Sequence, residues 1–217
     1  MITMRLLELV LAPAVRRELS ARFDRPAIRG VLDDAFADYE AQRPHLPGEA
    51  AVGGRIMVRL AALTIGLYRA LLSRGVPEDE ARSLTAGITS RVYEKMAAVP
   101  TLLSGISARS PHDRVRRATD LFRRFPFSAP SYDMVDVDGG DDVVAFDVRR
   151  CPVAEYFRAQ NLGELCVESW CNLDFPLAER WGARLERSTT IARGASHCDF
   201  RWRVQRAEES GQTRGER

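Results

Sequence analysis

The hydrophobic period of this chain changes once, near Ser131, and the change divides it into a helical and a β-containing part. Up to Phe125 the apolar residues recur three and four apart, which places them on one face of a helix. The spacing predicts a first helix over Ile2–Phe23, with Pro13 as a break or kink near its middle. A second, over Pro26–Gln42, carries Ile28, Val31, Leu32, Ala35 and Phe36 on one stripe. Pro44, Pro47, Gly48, Gly53 and Gly54 mark Arg43–Gly54 as a loop. Arg55–Ser73 reads as a strongly apolar third helix, stopped at Gly75. Pro77 with Glu78, Asp79 and Glu80 opens a fourth, which runs to about Ala98 before Pro100. A fifth, mostly basic, covers about His112–Arg124.

Beyond Ser131 the period becomes two. Tyr132–Asp138, Gly139-Gly140 and Asp142–Arg149 read as a β-hairpin. A short helix is expected over Val153–Gln160, a further segment over Glu164–Asn172, and a helical turn from Pro176 to Trp181, ended by Gly182. Two more strands, about Arg184–Ala192 and Cys198–Val204, are joined by Arg193–His197. The fold class expected is α+β: a helical N-terminal part followed by a small antiparallel sheet with short helices. The division is 1–128, 129–206 and a charged tail over 207–217, and the first two can also form one continuous domain.

A formal charge of +2 over 217 residues gives no reason to expect a nucleic-acid partner. The arginines of the fifth helix spread round more than one face, which suits solvent or an oligomer contact. No run approaches the roughly 18 apolar residues of a membrane span. Arg5 and Glu8 interrupt the apolar start, and no cleavage site follows it. The expectation is a cytoplasmic protein off the membrane, with Cys151, Cys166, Cys171 and Cys198 reduced. These cysteines show no C-x-x-C spacing and no H-x-x-x-H pair accompanies them, so no cofactor is expected, and a metal site stays open as the alternative.

Asp147-Val148-Arg149-Arg150-Cys151-Pro152 is followed by Tyr156-Phe157, Glu164-Leu165 and Cys171-Asn172-Leu173-Asp174. Then come Leu185-Glu186-Arg187-Ser188-Thr189-Thr190-Ile191-Ala192 and Gly194-Ala195-Ser196-His197-Cys198-Asp199-Phe200-Arg201. This ordered set resembles the L-2-amino-thiazoline-4-carboxylic acid hydrolase family over Asp147 to about Arg203. The resemblance implies opening of a 2-amino-thiazoline ring by addition of water at the C=N carbon, giving N-carbamoyl-cysteine, or a related reaction.

The roles of single residues rest on their chemistry. A turn centred near Gly194-Ala195 would pair Thr190 with Asp199, Ser188 with Arg201 and Glu186 with Arg203. Their shared face is either solvated and laced with ion pairs or the wall of a pocket, where Arg201 would bind a substrate carboxylate. Cys171 and Asp174, three apart, share a helix face. They are either a buried thiol beside a helix cap or a nucleophile beside a base. Cys198 packs in the core or borders the site. His197 is an exposed loop end or a substrate contact. Cys151 caps a helix or lies at the mouth of the site.

The candidate catalytic residues are therefore Cys171, Asp174 and Asp199. The candidate substrate contacts are Arg201, Glu186, His197, Cys198 and Cys151. They point to a hydrolase, or a related lyase, on a small carboxylate-bearing cyclic amidine. Two alternatives stay open: a non-catalytic small-molecule-binding module and an accessory protein of a biosynthetic pathway. Whether the chain forms a homo-oligomer is open as well.

Overall fold

The computed structural model describes residues 4–105 and 108–205, so the tail expected over 207–217 lies outside the described residues. The chain folds as α+β. Five helices come first: α1 (Met4–Leu19), α2 (Arg25–Gln42), α3 (Val52–Leu72), α4 (Glu78–Gly105) and α5 (Pro111–Arg124). Local chemistry sets the starts of α2 and α5. Asp24 accepts from the Ala27 amide at 2.9 Å, and Ser110 accepts from the Asp113 amide at 3.1 Å, each satisfying a donor that the first helical turn leaves free. Pro13 lies inside α1, as expected, whereas Pro100 does not end its helix: α4 runs past it to Gly105. α3 also begins three residues earlier than expected, because Val52, Gly53 and Gly54 join it as its first turn.

Four strands form one antiparallel sheet in the order β1-β2-β4-β3: β1 (Asp133–Asp136), β2 (Val143–Arg150), β3 (Ala183–Glu186) and β4 (Cys198–Val204). Between β2 and β3 lie three short helices, α6 (Pro152–Ala159), α7 (Gly163–Ser169) and α8 (Asp174–Trp181). Gly182, at φ 81°, ends α8 in the left-handed region and turns the chain directly into β3.

The alternation of side chains holds along β2 and β4. Phe146 pairs with Phe200, Val148 with Cys198 and Val144 with Trp202 on the face that meets the helices. Asp147, Asp199 and Arg201 fall on the other face. The expected register of the last hairpin is corrected. β3 stops at Glu186, which pairs with Arg201, not Arg203. The shift is two residues, so Glu186 and Arg201 keep the polar face, whereas Thr190 leaves the strand and turns inward, 3.5 Å from Cys198 Sγ. Its cause is the longer connection, which holds a 3-10 turn at Ile191–Arg193 and Gly194 at φ 94°.

One contiguous cluster of buried residues runs from Leu11 on α1 to Trp202 on β4, with α3 contributing its largest share. The helices and the sheet therefore share a core.

Candidate functional site

The apolar face of the sheet does not close completely on the helices. A cavity of about 120 Å³ remains between β2 and β4, the inner sides of α4 and α5, and the short helices α6–α8. Its lining is mostly aromatic and aliphatic. The polar groups gather where the turn after α7, the start of α8 and the residue after β3 come together.

Arg187 organises this end. Its side chain is 5% exposed, and its Nη1 donates to the Cys171 carbonyl at 2.9 Å and to Asp174 Oδ2 at 3.2 Å. The guanidinium carbon also lies 5.1 Å from the centre of the Phe175 ring and 5.4 Å from that of Phe200, a position that suits a weakly hydrated cation. On the other side, Tyr93 from α4 donates to Asp174 Oδ1 at 3.4 Å. Cys171 Sγ lies 3.7 Å from Thr190 Oγ1. Thus one cation fastens both the turn that carries the thiol and the carboxylate that starts the next helix.

Burial pushes the Asp174 carboxyl up to about 6, although Arg187 and Tyr93 both favour its ionised form. The side chain keeps 21% exposure, consistent with its lining the cavity. Cys171 moves the other way. A hydrogen bond from the Cys166 thiol holds it below the usual thiol range despite burial, with help from Arg187 and Thr190, while Asp174 opposes. Cys166 is correspondingly raised, by that hydrogen bond and by burial. Burial raises Cys151 and Cys198. The pair is thus a thiol inclined to ionise beside a carboxyl inclined to hold a proton.

Of the residues singled out from the sequence, Cys171, Asp174, Cys151 and Cys198 line this cavity. Cys151 also caps α6, accepting from the Ala154 amide at 3.5 Å, and Cys198 accepts from the Ile191 amide at 3.2 Å. Asp174 is not the cap of α8: Leu173 holds that position, and Asp174 is the first helical residue.

Asp199, Arg201, Glu186 and His197 lie outside the cavity, which corrects the grouping drawn from the sequence. The polar face of β4 is the one turned away from the cavity. Asp199 accepts from the Ser188 amide at 2.9 Å, Ser188 Oγ at 2.6 Å, the Thr189 amide at 2.6 Å and Thr189 Oγ1 at 2.9 Å. Burial alone would raise its pKa, but these donors together hold it well below the carboxylate range. It anchors the loop after β3. Arg201 donates to Asp147 Oδ1 at 2.8 Å and to the Phe146 and Phe200 carbonyls at 3.1 and 3.0 Å. Glu186 accepts from Arg203 at 3.1 Å, and His197 Nδ1 lies 3.1 Å from Ser196 Oγ.

Sequence reasoning missed Arg187 and Tyr93. Arg187 had a signal: it sits two after Leu185, on the face that buries, where a cation needs partners. Tyr93 had none, since its position in α4 looks like any other apolar-stripe position. Among the described residues, no group of three or more His, Cys, Asp or Glu side chains is placed to hold a metal ion.

The sequence model of the L-2-amino-thiazoline-4-carboxylic acid hydrolase family matches residues 56–202 of the 217. The chain belongs to this family. The match reaches well beyond Asp147–Arg203: it begins in α3 and takes in α4, α5 and the whole sheet up to Trp202. Every residue that lines the cavity, from Tyr93 to Trp202, falls inside it, so the cavity is a feature of the hydrolase-family region. Neither a curated protein nor a solved structure gives a significant match.

Proposed function

We propose that this chain hydrolyses a cyclic amidine of the 2-amino-thiazoline-4-carboxylate type, with Cys171 as nucleophile and Asp174 as base. The observation that carries the reading is the convergence of Cys171, Asp174 and Arg187 on one largely apolar cavity. A thiol, a carboxyl tuned toward neutrality and a cation are the groups that addition to a C=N carbon uses.

The ionised Asp174 takes the proton of the Cys171 thiol as Sγ bonds to the ring carbon between nitrogen and sulfur. The ring carbon–sulfur bond breaks, and the departing sulfur receives that proton from Asp174. Water then attacks the same carbon. One of its protons passes through Asp174 to Cys171 as the carbon–Sγ bond breaks, and the other goes to the former ring nitrogen. The product is a carbamoyl amino acid with a free thiol. Arg187, the cation beside the thiol and the carboxyl, is assigned the substrate's acid group in place of Arg201.

Ring opening by purified protein tests this directly. Cys171→Ala, Asp174→Asn and Arg187→Met should each lower kcat/KM by on the order of 100-fold or more, the usual effect of removing a nucleophile or base. Wild-type rates in all three variants would remove the assignment. Tight binding of the substrate without turnover by the wild-type protein would favour a binding module instead.

A further inference from the structure

We propose that the natural substrate carries an aryl-sized apolar body on its heterocycle, seated in the aromatic chamber beside the reacting groups. The inference rests on Cys171 and Asp174 marking the reacting end.

Three observations carry it. First, the rings beside that end form a nearly continuous row of stacked aromatic side chains. Phe146 and Phe200 stack at 5.2 Å with planes 9° apart, Phe200 and Trp202 at 6.1 Å and 16°, and Trp181 and Trp202 at 5.1 Å and 28°. Phe122 and Phe127, 5.8 Å apart and 17° from parallel, line the cavity from α5 and the segment after it. A bare amino-thiazoline carboxylate has polar atoms on most of its edges, and such a wall leaves them unpaired. An aromatic group can extend that stack or meet the ring edges.

Second, the chamber has an outward continuation. A recess of about 340 Å³ shares Arg123, Phe127, Tyr132 and Met134 with the cavity, so the aromatic end adjoins open space. Third, Tyr132 Oη and Trp202 Nε1 are buried in the cavity wall without a hydrogen-bond partner. A buried donor without a partner is costly, and a body with an acceptor on its rim would satisfy one with a small side-chain shift.

The test is a binding series read by tryptophan fluorescence on the full chain. The probes are 2-amino-thiazoline-4-carboxylate, its derivatives with phenyl at C5 or on the exocyclic nitrogen, and the 4-acetylphenyl counterparts, whose carbonyl supplies an acceptor. The better phenyl derivative should bind at least tenfold tighter than the parent, and its acetyl counterpart about fivefold tighter again. Tyr132→Phe or Trp202→Phe should erase that last increment. A parent that binds as tightly as every derivative overturns the proposal, whatever the variants do, and an acetyl increment unchanged in both variants overturns the donor assignment. Turnover separates this inference from the one beneath it: aryl derivatives that bind tighter but are never opened sink the hydrolase reading and leave the aromatic chamber as inferred.

Discussion

Asp174 and Asp199 both stood out in the sequence as candidate bases, and their surroundings send them in opposite directions. Burial raises Asp174 to about 6, whereas the amides and hydroxyls of Ser188 and Thr189 hold Asp199 far down. If Asp174 is the base, kcat/KM rises with pH through about 6, and the Asp174→Asn variant loses that limb in a pH–rate profile. The stability consequences carry opposite signs. The folded Asp174 binds its proton more tightly than the unfolded chain does, so its contribution favours folding at low pH and is lost as pH rises through about 6. Asp199 contributes above the ordinary carboxylate range, and its contribution is lost as pH falls below it. Replacing Asp199 with Ala should cost about 2–3 kcal/mol in urea unfolding, the order expected when hydrogen bonds to a charged group are lost. Ring opening should survive it, because the carboxylate lies outside the cavity. The two aspartates sit in equally suggestive motifs, and what distinguishes them is which donors reach them in space. Spacing along the chain does not encode that.

At the scale of elements, the period change at Ser131 located the helix-to-sheet transition, and the alternation in β2 and β4 sorted core-facing from outward side chains correctly. Strand length and register were not readable. The residues after Glu186 look like a continuing strand, yet Asp199 draws the Ser188 and Thr189 amides into a loop. The first turn of α3 was likewise hidden, since Gly53 and Gly54 signal a loop by composition. Their small size is used for close packing instead. A Cβ on Gly53 would stand 2.0 Å from the carbonyl oxygen of Pro126, backbone that cannot swing aside. Alanine gains roughly 1 kcal/mol of helix propensity over glycine. Overpacking against a fixed backbone costs about 1–3 kcal/mol, so the clash wins. Gly53→Ala should therefore lower the urea midpoint. Gly48→Ala, with open space around it, should not.

For the whole molecule, the single core predicts a single transition. The three tryptophans all lie in the C-terminal part, at Trp170, Trp181 and Trp202, while most of the helix is N-terminal. Tryptophan fluorescence and far-ultraviolet circular dichroism should report one coincident denaturation curve, and separated curves would mean independent halves. A clamp reinforces the union. Glu49, on the loop before α3 and only 6% exposed, accepts two hydrogen bonds from Arg150 at the end of β2, at 3.0 and 2.8 Å. These bonds hold its carboxyl below the usual range, and Ser131 assists. Arg150→Met strands a buried carboxylate and should cost about 3 kcal/mol or more at neutral pH. The loss should shrink in acid, where protonation of Glu49 removes the stranded charge. Finally, every sulfhydryl in this protein fronts the same chamber. An alkylating reagent therefore has no background sites to report, and its uptake counts chamber access alone. A seated ligand would shield all four positions together, so intact-mass readings could rank occupants before any turnover assay exists.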